Sequence, residues 1–154
     1  MKIVAKNKRA RFDYQIKETL IAGLVLSGHE VKSVKSGHIS LKGSFITVRS
    51  GEAWLTNAHI TQYKQATNLP SYDPERSRKL LLHRRQIDEI IGAIKTQGQS
   101  IVPLAVGIER GLVKVELGIG KGKKNYDKRE TIKRSDMLRD ADREIASRKQ
   151  RTKL

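Results

Sequence analysis

The sequence predicts a mainly β protein with inserted α-helices, a small barrel over residues 1–120 with a basic tail over residues 121–154 behind it. Three observations carry this. Apolar residues alternate with polar ones from Tyr14 to Leu26, the period of a half-buried strand. Two further β-rich stretches double back around glycine turns. From Glu130 onward apolar residues become sparse while acids and bases alternate to Leu154, so the core must close before that point.

Asn7-Lys8-Arg9-Ala10-Arg11 is a basic opening with room for one helical turn and an N-cap at Asn7. Tyr14, Ile16, Leu20, Ala22, Leu24 and Leu26 then share one face of a long strand, with Glu18 the exception. Gly23 inside that strand suggests the bulge or bend a small barrel needs. Val31 and Val34, between Gly28 and Gly37, predict a short helix bearing Lys32 and Lys35. One hairpin is expected from Phe45–Arg49 and Ala53–Thr56 around Ser50-Gly51, another from Ser100–Val106 and Leu112–Leu117 around Glu109-Arg110-Gly111. Pro103 cannot donate to a ladder, so its strand has a free edge or a bulge there. Ile87, Ile90, Ile91 and Ile94 recur at helical spacing, and Gly98 is placed to end that helix. Lys79 to His83 reads equally as strand or helix. Irregular strand lengths and inserted helices favour a barrel over a sandwich, and an OB-like barrel is the expected form. In the tail, Leu138, Ala141 and Ile145 make a stripe too thin to stabilise a free helix, so the tail is expected to be disordered when free and helical on a partner.

Lys and Arg total 32 against 16 Asp and Glu, a formal charge of +16 that attracts polyanions. No run of roughly 18 apolar residues exists to span a bilayer, and Met1 to Asn7 lacks the apolar stretch of a signal peptide, so the expected compartment is the cytoplasm with no membrane partner. There is no cysteine, hence no disulfide, thiolate chemistry or Cys-ligated zinc. His29, His38, His59 and His83 sit in unrelated contexts, with no helical i, i+4 pair to hold a metal. No nucleophile elbow or phosphate loop occurs: Gly118-Ile119-Gly120-Lys121-Gly122-Lys123 lacks the required spacing and the Ser or Thr after Lys. The sequence predicts no enzyme, no cofactor and no metal site.

Several basic groups could hold RNA. Asn7 to Arg11 is one, and its plain alternative is a solvated terminus. Arg76, Arg78, Lys79, Arg84 and Arg85 surround Leu80-Leu81-Leu82, where leucines are mostly core but alternating bases would line a barrel rim. Phe12 and Tyr14 beside Arg9 and Arg11 could stack on bases, while Trp54 in a hairpin is more often core. Aromatics are only 5% of the chain, which disfavours a generic single-strand binder and favours reading the shape of a folded RNA. Lys121, Lys123, Lys124, Lys128 and Arg129 form the densest basic run; such runs are usually solvated tails, but Tyr126-Asp127 inside it has the character of a specific stacking and hydrogen-bonding element.

Together these blocks resemble the SmpB family. The resemblance runs through Asn7–Tyr14, Glu18-Thr19, Ala22-Gly23, Gly28–Ser33, Asn57–Ile60, Arg78–His83 and Gly122–Arg129, in order and over essentially the whole chain. It implies a ribosome-rescue protein whose OB-like body binds the tRNA-like part of transfer-messenger RNA (tmRNA, or SsrA RNA). It implies a C-terminal tail that enters the decoding centre and empty mRNA channel of a stalled ribosome. The partners implied are tmRNA, the ribosome with its small-subunit rRNA and elongation factor Tu with aminoacyl-tmRNA, for a monomer without catalytic activity. The body residues expected to contact tmRNA are Asn7, Lys8, Arg9, Arg11, Lys32, Arg78, Lys79, Leu81 and His83. Those expected at the ribosome are Gly122, Lys123, Lys124, Tyr126, Asp127, Lys128 and Arg129, with Tyr126 where the family places an aromatic or His. Many members have Glu between the residues matching Leu20 and Ala22; this chain has Ile21, so the resemblance carries no acidic RNA contact to that position.

Overall fold

Alternating apolar residues can close a barrel only if the strands that bear them pair edge to edge, and the computed structural model shows how they do. It describes residues 1–63 and 71–123, together with residues 129, 132, 133, 137 and 139. The elements are β1 (Lys2–Lys6), α1 (Lys8–Asp13), β2 (Tyr14–Leu24), α2 (Gly28–Lys35), β3 (Ile39–Ser40), β4 (Phe45–Arg49), β5 (Glu52–Thr56), β6 (His59–Ile60), β7 (Arg78–Leu81), α3 (Arg84–Lys95), β8 (Gln99–Glu109) and β9 (Leu112–Gly122). Seven strands lie in the order β1-β8-β9-β2-β7-β5-β4, every pairing antiparallel. β4, at one end of that order, packs against β8, so the sheet curls into an OB-like barrel with β1 outside the closure. β3 and β6 form a separate two-stranded pair.

The barrel is filled by Leu55, Ile60, Leu80, Ile90, Val106, Val115 and Leu117, all fully buried. The face expected to run unbroken from Tyr14 to Leu24 is split. A bulge between Ile16 and Glu18 shifts the pairing of β2 with β9. Residues before it therefore point to the opposite side from those after it, because each extra residue reverses the alternation. Tyr14 and Ile16 pack beneath α1 with Ala10, Val102 and Leu104, whereas Ala22 and Leu24 join the main core with Leu20 packed against it. The bulge, not Gly23, accommodates the curvature. Gly23 instead pairs in register with Leu81 and Lys114, and a Cβ there would stand 3.3 Å from the Cβ of Leu81.

Beside Pro103 the expected irregularity is present: the register of β8 on β9 shifts between Pro103 and Ala105. Both hairpins form, the second longer than expected, reaching from Gln99 to Gly122. Their turns have left-handed φ at Ser50 (52°) and Gly51 (75°), and at Arg110 (51°) and Gly111 (78°), as a two-residue turn matched to strand twist requires. The helix through Ile87–Ile94 runs from Arg84 to Lys95 and buries Ile90, while Ile94 stays 48% exposed. Lys79 to His83 resolves into the end of β7 and the residue preceding α3. β1, which pairs with β8, is an added strand that was not among the expected elements.

Met1–Gly122 forms one compact unit and Lys123–Leu154 a second. The body expected to stop at residue 120 thus extends through Gly122, because Lys121 and Gly122 still pair with Gln15 and Tyr14. Arg129, Ile132, Lys133, Met137 and Arg139 have helical backbone; the expectation of a tail disordered when free falls on residues outside those described. Among the described residues no helix is long and apolar enough to cross a membrane.

Candidate nucleic-acid interface

The pairing of β2 with β7 brings two distant sequence segments together on the outer face of the sheet. Along β7 the alternation turns Arg78 and Leu80 inward and Lys79 and Leu81 outward. Leu81 is 56% exposed and Ile21 44%, an unusual placement for two large aliphatic residues. They line a groove with Gly23, Leu82, His83, Gln86 and Lys114. His83 precedes α3, and its backbone N–H donates to Gln86 Oε1 at 3.0 Å, which fixes the groove wall. Lys79 Nζ lies 3.0 Å from Glu52 Oε1, both side chains part-exposed, so solvent weakens the pair and an RNA phosphate can compete for the ammonium. An exposed apolar pair with His83 and Lys114 in the same groove, and Lys79 facing outward on the same strand as Leu81, suits a nucleotide's sugar or base with its phosphate outside.

A second basic group gathers at the other end of β2. Asn7 Oδ1 accepts from the Ala10 N–H at 3.2 Å and caps α1; Asn7 Nδ2 donates to the Pro103 carbonyl at 2.9 Å, and the Asn7 N–H to the Leu104 carbonyl at 2.7 Å. Asn7 is therefore a strap holding α1 to β8. Lys8, Arg9 and Arg11 on that helix are exposed. Arg9 Nε lies 3.0 Å from Asp13 Oδ2 with its guanidinium 5.8 Å from the Phe12 ring centre, and Arg11 reaches Glu116 at 3.6 Å.

Arg78 is corrected by the structure. It is fully buried, and its guanidinium donates to Glu30 Oε2 at 2.8 and 2.7 Å, to the Ala58 carbonyl at 2.6 Å, to the Pro74 carbonyl at 2.9 Å and to the Tyr72 hydroxyl at 3.0 Å. Such a residue cannot touch RNA without unfolding its surroundings. Glu30, equally buried, also accepts from Arg76 and from the Ser27 N–H. Burial pushes its carboxyl up, but the bonds from Arg76, Ser27 and Arg78 together outweigh that and hold it at about 2, against an ordinary 4.5. Tyr72, whose hydroxyl lies 2.9 Å from the Ile60 carbonyl and 3.1 Å from Glu30 Oε2 and donates its one proton to either, is raised by burial and by the Glu30 charge. These contacts tie α2, β6 and the segment leading into β7 to one buried carboxylate.

The other expected residues are dispersed. Lys32 is exposed on α2, its ammonium 5.8 Å from the Tyr63 ring centre. Gly122 ends β9, exposed; Lys123 is half-buried; Arg129 is exposed and helical. Lys124, Tyr126, Asp127 and Lys128 lie outside the described residues. The groove's remaining lining, Gly23, Leu82, Gln86 and Lys114, was not singled out as RNA-facing; the outward parity of β7 and the exposed apolar position at Ile21 were the available signals. Trp54 is also only half-buried, on the outer sheet face with the Arg49 guanidinium 5.1 Å from its ring centre.

A closed antiparallel barrel with a half-exposed apolar groove and basic ends, on a chain of charge +16, defines a class: a basic β-barrel protein built to bind nucleic acid. The chain belongs to the SmpB family, whose model, described as "SmpB protein", matches residues 4–147. It is 52% identical over 147 residues to an SsrA-binding protein of Shouchella clausii, covering 96% of this chain and 94% of that one. An SsrA-binding protein of Geobacillus thermodenitrificans is also 52% identical, with the same coverage, and one of Acetivibrio thermocellus is 51% identical over 144 residues, 94% of this chain and 93% of that one. A solved structure described as "tmRNA-SmpB: a journey to the center of the bacterial ribosome" is 42% identical with a TM-score of 0.65, covering 79% of this chain and 85% of that chain.

Proposed function

We propose that this chain binds SsrA RNA (tmRNA) and serves trans-translation, the rescue of ribosomes stalled on broken messages. The observation that carries the reading is identity of about half over nearly the full length of both chains to proteins named for binding SsrA RNA. The barrel supplies the means. Its Leu81–Ile21 groove and the cations Lys79 and Lys114 suit a folded RNA's backbone and an unstacked nucleotide. The body, residues 1–122, holds the tRNA-like domain; the tail carries Lys123, Lys124, Tyr126, Asp127, Lys128 and Arg129 to the decoding centre and the empty mRNA channel. Elongation factor Tu accompanies the aminoacyl-tmRNA complex, and the chain acts as a monomer in the cytoplasm. Its contribution is binding and placement rather than catalysis. Pulldown of the tagged chain from a bacterial lysate, followed by sequencing of the retained RNA, tests this: one dominant tRNA-like RNA supports it, and a sample dominated by stoichiometric ribosomal RNA without it refutes it.

A further inference from the structure

We propose that Glu52, on the outer face of the barrel, is a specificity-determining residue. It accepts a hydrogen bond from the ribose 2′-hydroxyl of one nucleotide in the tRNA-like domain of SsrA RNA, while Lys79 beside it holds the adjoining phosphate. The proposal rests on the reading of the chain as an SsrA RNA binder and gives a role to an acid that a purely phosphate-binding face would exclude.

Strand parity turns Arg49 of β4, Glu52 and Trp54 of β5, and Lys79 and Leu81 of β7 to the outer face. Glu52 is the sole acid among the outward residues of these three strands. Its Oε1 lies 3.0 Å from Lys79 Nζ, and the two side chains are 45% and 40% exposed. Arg49 stands opposite Glu52 in the β4–β5 register, yet its guanidinium lies over the Trp54 ring, 5.1 Å from the centre. Among the described residues the carboxylate is therefore held by Lys79 alone. β5 and β7 run antiparallel with Trp54 opposite Lys79. Glu52, two residues before Trp54, and Leu81, two after Lys79, thus lie on the same side of that pair. The carboxylate is set toward the end of β7 where Leu81 and Ile21 line their groove.

A carboxylate on a face that takes phosphates repels them unless a donor stands between. When ionised it only accepts, and with Oε1 on Lys79 the other oxygen of Glu52 is free to do so. The backbone of RNA offers one donor, the 2′-hydroxyl, and the backbone of DNA offers none. On a single ribonucleotide that hydroxyl and the 3′-phosphate sit on neighbouring sugar carbons. An acceptor and a cation in direct contact match that neighbouring donor and anion. The Lys79 ammonium has three donors, so it bonds a phosphate without leaving Glu52. A lone lysine reads charge; this pair reads ribose.

The test is binding of the full-length chain to the tRNA-like domain of SsrA RNA and to an all-DNA copy of it, with 2′-deoxynucleotide interference mapping on the RNA. Glu52→Ala weakens binding of the tRNA-like domain roughly 3- to 10-fold and leaves the DNA copy equal or tighter, because a repelling carboxylate is gone. Glu52→Gln keeps an acceptor oxygen and recovers part of the RNA affinity. With the parent chain, 2′-deoxy substitution weakens binding at particular positions; with Glu52→Ala one of those positions falls silent. Glu89→Gln, at an exposed acid on α3 that lines a different groove, removes the same charge and leaves the RNA-to-DNA ratio unchanged. Should Glu52→Ala fail to fold, Glu52→Gln reads out as a reduced penalty at that one position. The proposal is overturned if the Glu52 variants keep the parent's ratio and interference pattern. It is overturned as well if the ratio falls while every interference position persists, since the donor is then a base N–H. A parent that does not bind the tRNA-like domain removes the proposed function and this role with it; a parent that binds without these effects removes only the role of Glu52.

Discussion

Glu30 ties several segments of the fold together, because it is buried among two arginines and a tyrosine that bond to it. Its carboxyl titrates at about 2 when folded and 4.5 when free. A depressed folded value means the unfolded chain takes up the proton first, so the stabilisation is fully present above 4.5 and is lost as pH falls towards 2; its size is about 3 kcal/mol. Glu30→Gln leaves Arg78 buried without its counter-charge, a loss of roughly 3–5 kcal/mol at neutral pH. Urea denaturation of parent and variant across pH 6 to 2 should show their difference shrinking within that window; a constant difference would remove Glu30 as the titrating group. The same geometry separates two neighbours. Lys79→Gln should lower the salt slope of SsrA RNA binding by roughly 0.7–0.9, since it removes a phosphate contact. Arg78→Gln should leave that slope unchanged while lowering the melting temperature by more than any surface charge would. A reduced slope for Arg78→Gln would contradict its burial role.

At the scale of elements, α1 shows how a short basic helix acquires a fixed position. Six residues make too few hydrogen bonds to persist alone; the Asn7 side chain anchors it to β8 through Pro103 and caps it through Ala10. Asn7→Ala loses both bonds and should cost about 1–2 kcal/mol by urea unfolding. Asn7→Ser keeps a capping oxygen but is too short to reach Pro103, and should fall between the two. If Ser and Ala prove equal, the Pro103 strap contributes nothing. Most elements were legible because their signals are local: Asn7 as a cap, Ser50-Gly51 and Arg110-Gly111 as turns, the isoleucine repeat of α3. What escaped was set by pairing. The bulge at Lys17 marks the sequence only as one polar residue, Glu18, on an apolar face that resumes at Leu20 with the same parity, yet it sends Tyr14 and Ile16 to a different cluster from Leu20. Arg78 escaped for the same reason. In sequence it is one cation among several, and only the inward parity of β7 and the distant Glu30 separate it from Lys79.

For the whole molecule, the proposed function gives the body and the tail different tasks on a chain that is basic throughout. Charge alone made that division hard to read, since Lys8, Lys79 and Lys128 look equivalent; the barrel sorts the first two onto opposite ends of β2, whereas sequence composition separates the third. β9 keeps pairing through Gly122 and thereby brings the chain to the edge of the body before the tail begins. Among the described residues every pairing of the seven-stranded sheet is made by residues up to Gly122. Ending the chain after Lys128 should therefore leave the barrel's cooperative unfolding intact and its affinity for the tRNA-like domain within about twofold, less than 0.5 kcal/mol. It should abolish peptide tagging on stalled ribosomes, because the segment proposed to occupy the empty mRNA channel is gone. Filter binding to SsrA RNA and an in vitro tagging reaction measure the two quantities on one preparation. Tagging that survives truncation would place the ribosomal role in the body, and a large fall in SsrA RNA affinity would place part of that interface in the tail.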